Sequence, residues 1–213
     1  MNARDEILAR VRAGLADRGT GAGHPVDWVY GRATPLPDVL GRFVERCEDY
    51  QARVIRVAAP DVGPTLVRVL RESGITSAVW PAGLDAGWRA AVLAAGVTVI
   101  ADDPPLTRRQ LDETGGVVTA ARVAVAETGT IVLDHAADQG RRALSLVPDF
   151  HLAIVRGDQV VSDVPEAVAV LRASIDAGRP LTWISGGSAT SDIELERVEG
   201  VHGPRTLVIV LAE

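Results

Sequence analysis

The sequence predicts an α/β fold, a mostly parallel sheet flanked by helices in a Rossmann-like alternation. Three observations carry this expectation. Short β-branched runs recur at strand length, amphipathic runs of helical length lie between them, and glycines stand where those helices should stop. Ile7, Leu8, Val11 and Leu15 recur at helical spacing, so residues 3–17 read as a first helix. A glycine- and proline-rich stretch, "DRGTGAGHPVDWVYGRATPLP", follows as a loop; its G-T-G-A-G follows no strand and is not read as a dinucleotide site. Pro37 suits the first turn of a helix running through Val39, Leu40, Phe43, Val44 and Cys47. From Arg53 the rhythm changes: "RVIRVAA" (strand), "GPTLVRVLRESG" (helix to Gly74), "TSAVWP" (strand), "GWRAAVLAAG" (helix to Gly96) and "VTVIAD" (strand). Beyond these, "ARVAVAETGTIVLD", "FHLAIVRGDQVV", "PLTWIS" and "RTLVIVLA" read as strands that extend the same sheet, some antiparallel, with a helix over 165–173.

A chain of 213 residues with 47% hydrophobic content suits a single α/β unit, divided here into an N-terminal helical segment and loop over 1–50 and the α/β domain over 51–213. No run approaches the ~20 apolar residues that span a bilayer. The first residues lack the apolar core of a signal peptide, so the expectation is a cytoplasmic protein with no membrane span. The net charge of -6 opposes a general nucleic-acid surface. The single cysteine, Cys47, excludes an intrachain disulfide, a cysteine-built zinc site and a self-contained iron–sulfur cluster. Every basic residue is arginine, which removes Schiff-base chemistry and the lysine-dependent phosphate loop.

Four stretches could carry chemistry. In "AETGT", Glu127 interrupts an apolar alternation next to Thr128, Gly129 and Thr130. It is either a hairpin with local side-chain bonds or a carboxylate held in a cleft for acid–base or nucleophilic work. In "DHAADQGRRALSLVP", Asp134, His135 and Asp138 suggest a metal site, but Asp134 and His135 are sequence neighbours and do not share a face, which weakens that reading; Arg141 and Arg142 could anchor a carboxylate or phosphate. In "ISGGSATSDIE", the backbone of Gly186 and Gly187 with Ser185, Ser188 and Asp192 could receive an anion at a helix start capped by Ser191 and Glu194. In "GVHGP", His202 is either a turn residue or a proton carrier.

Together, "ARVAVAETGTIVL", "RRALSLVPDFHLAIV" and "ISGGSATSDIELERVEGVHGP" resemble the lactate utilization protein C (LutC/YkgG) family of LUD-domain proteins. The matching residues are Glu127, Thr128, Gly129, Thr130, Ser185, Gly186, Ser188, Asp192, Glu194, His202, Gly203 and Pro204, and Gly187 stands where the family usually has proline. The resemblance implies a NagB/RpiA/CoA-transferase-like fold and a part in oxidising L-lactate to pyruvate beside iron–sulfur proteins of the LutA and LutB types. It implies a member with no intrinsic cofactor, the clusters being on those partners, that binds a small anionic ligand or the partners themselves. The alternative is a stand-alone CoA-transferase-like or cyclo-ligase-like enzyme using Glu127.

Overall fold

The structure is a computed structural model and describes residues 2–16, 33–190, 198–199 and 202–213. In chain order the elements begin with α1 (Ala3–Gly14), α2 (Val39–Asp49), β1 (Arg53–Val57), α3 (Val62–Glu72), β2 (Ser77–Val79), α4 (Ala86–Ala94) and β3 (Thr98–Ile100). They continue with α5 (Arg108–Asp112), β4 (Gly116–Ala120), β5 (Val123–Val125), β6 (Thr130–Leu133), β7 (Phe150–Arg156), β8 (Val160–Val161), α6 (Val164–Asp176), β9 (Thr182–Ile184), β10 (Ala189–Thr190), β11 (Val198–Glu199) and β12 (Thr206–Ala212). Contacts divide the chain into a unit over 1–30, whose α1 is capped by the Asn2 side chain, and a unit over 31–213. Among the described residues no helix is long and apolar enough to cross a membrane.

Six strands form one sheet in the order β1-β12-β7-β4-β2-β3, every neighbouring pair parallel. Strands of a parallel sheet are covered on both faces, which is why β7 and β12 are almost unbroken apolar runs. On one face, Leu66, Val69 and Leu70 of α3 and Val92 of α4 pack on Leu152, Ile154, Val208 and Val210. Gly74 and Gly96, just beyond these two helices, have φ of +69° and +85°, the left-handed turn that the sequence predicted at their ends.

The opposite face differs from the expectation of one continuous sheet. β7 and β12 do join it, but β8, β5, β6 and β9 form a second, four-stranded sheet. β5 and β6 are joined by a short turn, so they must pair antiparallel, and β9 adds antiparallel to β6. Their alternation is apolar on both sides. Ala124, Ile131 and Leu133 face the large sheet with Phe43 and Cys47 of α2, while Val123, Val125 and Val132 face Ala167 and Leu171 of α6. Asp38 caps α2 by accepting from the Gly41 N–H at 2.8 Å, so Pro37 lies one residue before the cap rather than in the first turn. α6 starts with a capping box between Asp163 and Glu166 and runs to Asp176, beyond the expected 173.

The two layers meet at the β5–β6 turn. Gly129 has φ of +57°, and a Cβ there would lie 2.6 Å from the Arg46 carbonyl carbon and 2.7 Å from Cys47 N, inside α2. Gly178 has nearly the same φ, +67°, with nothing within 4 Å. Gly178→Ala should therefore cost only backbone strain, about 1–2 kcal/mol. Gly129→Ala should cost about 1–3 kcal/mol more, because α2 must also yield. Urea unfolding of the two variants checks the difference, and equal losses would show that the turn does not press on the helix.

Candidate functional site

The Glu127 to Thr130 turn is a hairpin connection whose side chains are largely engaged. The Glu127 N–H donates to the Ser162 carbonyl at 3.0 Å. Its carboxylate lies 3.4 Å from Arg42 Nε and is 41% exposed. Thr128 and Thr130 share a hydroxyl hydrogen bond of 2.7 Å, and Thr130 reaches the Ser185 hydroxyl at 2.7 Å. That chain of hydroxyls ties the hairpin to the loop after β9.

Two glycines let that loop lie against other backbone. Gly186 has φ of +92°, and a Cβ on it would sit 2.5 Å from the Tyr50 carbonyl oxygen at the end of α2. A Cβ on Gly187 would overlap the Arg205 carbonyl oxygen. The Ser188 N–H donates to the Pro204 carbonyl at 2.7 Å, and the Ser188 hydroxyl accepts from the His202 N–H at 3.1 Å. Three stretches singled out in the sequence thus meet in space. Asp192, with Ser191 and Glu194, lies outside the described residues.

Where they meet, a cavity of about 240 Å³ opens between the 185–189 loop, the 202–204 turn, Leu146, His151 and Leu207. A shallower groove of about 460 Å³ shares Leu146, His202 and Gly203 and adds Asp112, Asp149 and Arg205. His151 and Leu207 are paired residues near the starts of β7 and β12. The cavity therefore lies at the amino ends of these strands, not at the carboxyl ends where open parallel sheets usually hold ligands. The cause is the second sheet, whose β9 delivers its following loop to the start of β12.

His151 is the residue that sequence reasoning missed; its only signal was a histidine inside the apolar run "FHLAIV". It is 1% exposed. Its Nε2 is 2.8 Å from the hydroxyl of the buried Thr119 on β4, and its Nδ1 has no partner among the described residues. Burial pushes the imidazole from its ordinary value near 6.5 down to about 4, so the ring is neutral at physiological pH.

The arginine pair divides. Arg141 makes two hydrogen bonds to Asp102, at 2.6 and 2.9 Å, and another to the Leu106 carbonyl, so it closes the 102–106 turn. Burial opposes ionisation of Asp102, but the bonds from Arg141 and the Leu106 N–H outweigh it and hold the carboxyl below its usual range. Arg142 is exposed, and neither arginine lines the cavity. Asp134 and His135 are likewise engaged in the fold. The buried Asp134 accepts from Ser174 at 2.6 Å and lies 3.2 Å from Arg179, while His135 bridges the Gly140 carbonyl at 2.9 Å and the Thr182 hydroxyl at 2.8 Å. Against the penalty of burial, Ser174 and then Arg179 keep the Asp134 carboxyl below its usual range.

A parallel sheet, a second small sheet and a cleft built by these motifs define an α/β protein of the LUD class. The chain belongs to the LUD domain family, whose model matches residues 40–212. It is similar to lactate utilization protein C of Deinococcus radiodurans, 49% identical over 174 residues that cover 82% of this chain and 79% of that one. It is also similar to lactate utilization protein C of Geobacillus kaustophilus, 29% identical across 94% of this chain and 92% of the relative. A crystal structure of a DUF162 family protein from Deinococcus radiodurans superposes with a TM-score of 0.72 at 42% identity, covering 84% of this chain and all (100%) of the other.

The unfolded chain protonates His151 near pH 6.5, while the fold resists protonation down to about 4. The unfolded state therefore binds more protons in that window, and stability should fall as the pH drops from about 6.5 towards 4. The slope from this one group approaches about 1.4 kcal/mol per pH unit. Unfolding midpoints measured across that range should show the slope in the natural protein and lose it in His151→Leu.

Proposed function

We propose that this protein is an accessory component of a system oxidising L-lactate to pyruvate, carrying no iron–sulfur cluster of its own. In this reading it holds a small anionic ligand in its cleft and works beside iron–sulfur proteins of the LutA and LutB types in the cytoplasm. The process comes from the names of its relatives, lactate utilization protein C. The observation that carries the site is the meeting of the loop and turn motifs on one cavity through the Ser188–His202 bond, with the hairpin tied to that loop through the Thr130–Ser185 bond. The anionic end of the ligand belongs at the mouth, where Arg205 stands in the adjoining groove. Arg205 is itself 60% exposed with Asp149 at 3.6 Å, so its pull on an anion is screened by solvent.

The reading of Glu127 as a nucleophile on a CoA-transferase-like or cyclo-ligase-like site draws no support from its position. The carboxylate faces Arg42 at the hairpin turn, and Glu127 is not among the residues lining the cavity.

Deleting the gene should slow growth on L-lactate as sole carbon source and lower lactate oxidation in extracts, with growth on glucose unchanged. The natural gene and the Glu127→Gln variant should both restore growth. Normal growth of the deletion strain, with no second copy of the gene present, would overturn the proposal. Failure of Glu127→Gln alone, with the protein folded and abundant, would favour the enzyme reading instead.

A further inference from the structure

The first helix, α1, carries an apolar stripe that nothing among the described residues covers. Ile7, Val11 and Leu15 recur every four residues and are 61%, 50% and 49% exposed, with Leu8 half-buried beside them. No residue of α1 is buried. A helix of 12 residues is marginal in water on its own, and proteins usually hold one by packing its apolar face. α1 also lies outside residues 40–212, the stretch that the LUD model matches, so the family's domain does not account for the stripe.

The charges of α1 say what covers it. Asp5 and Glu6 stand in its first turn and Arg12 in its last. Glu6 is answered within the helix by Arg10 at 2.6 Å, whereas Asp5 and Arg12 have no ion-pair partner among the described residues. With 3.6 residues per turn, Asp5 and Arg12 fall on one flank of the stripe, two turns apart, and Glu6 with Arg10 on the other. We propose that α1 pairs antiparallel with α1 of a second copy of this chain. Stripe lies against stripe, and each Asp5 meets Arg12 of the other copy.

One register satisfies these demands together. In an antiparallel pair about a two-fold axis, like flanks face each other. Matching Asp5 with Arg12 places the axis midway between Leu8 and Ala9, which is also the centre of Ala3–Gly14, so the two helices overlap fully. Leu8 then faces Leu8 of the second copy beside the axis. Val11 packs on Ile7 of the second copy, about 1.5 Å away along the axis. Arg4 lies in line with the stripe, and its stem can cover Leu15 of the second copy while the guanidinium stays in water. A parallel pair would instead set the Asp5–Arg12 flank against Glu6 and Arg10, already paired, and bring two acidic first turns together. Four apolar side chains from each helix make a small interface, so the association is weak and depends on concentration. It is independent of the ligand proposed for the cleft.

The test uses the full chain. Analytical ultracentrifugation from micromolar to near-millimolar concentration should show a reversible monomer–dimer equilibrium. Val11→Asp should stay monomeric throughout while keeping the cooperative unfolding of the natural protein. Orientation is read with a short bis-maleimide, the natural protein with its buried Cys47 serving as the blank. An equal mixture of Asp5→Cys and Arg12→Cys should cross-link to dimer several-fold more than either variant alone. A monomer at every concentration, a dimer that Val11→Asp leaves intact, or Asp5→Cys linking to itself as readily as to Arg12→Cys would each overturn the proposal.

Discussion

The arrangement of this protein turns on a close backbone contact between the last turns of α2 and two glycines of the small sheet's connections. Gly129 presses on Arg46 and Cys47, and Gly186 on Tyr50, at distances a side chain would not allow. Both have positive φ, so the turn geometry and the close approach demand glycine together. Cys47 lies under this contact. It is fully buried, and its thiol is directed to the Gly129 carbonyl at 3.5 Å. Burial, reinforced by Glu48, pushes that thiol up to about 12, which suits a packing residue rather than a reactive one.

From that contact the site follows. With the hairpin seated on α2, Thr130 is placed to hold Ser185, and the loop after β9 is laid across the start of β12. There Ser188 closes on Pro204 and His202, leaving a cavity over His151. The inner wall is neutral, and the ionic side chains stay in the outer groove. Gly187 is part of the same closure, since any Cβ would meet the Arg205 carbonyl.

Much of the fold was legible because local signals and tertiary outcome agree. The left-handed glycines at 74 and 96 end α3 and α4, and the alternating β-branched runs became parallel strands. The split into two sheets was not legible. "ARVAVA" has apolar residues on both faces, and the sequence does not say that one face meets a sheet and the other a helix. β4 went unread because it opens on glycine, where Gly116 packs against Phe150. At the site, "AETGT", "ISGGS" and "GVHGP" were each singled out in the sequence, whereas His151 was not. A buried histidine acquires meaning only from what surrounds it, here Thr119 from a neighbouring strand. The engagement of Arg141 by Asp102, 39 positions away, is likewise a tertiary fact.

Because Cys47 is the sole thiol of the chain, its chemistry reports directly on whether the hairpin and loop are seated on α2. The decisive measurement is the rate at which a thiol reagent such as DTNB modifies the folded protein at neutral pH, compared with the same protein in denaturant. The account predicts that the folded protein stays unmodified while the denatured protein reacts fully. Rapid stoichiometric labelling of the folded protein would contradict it, because Gly129 and Gly186 could not then be holding the small sheet against α2.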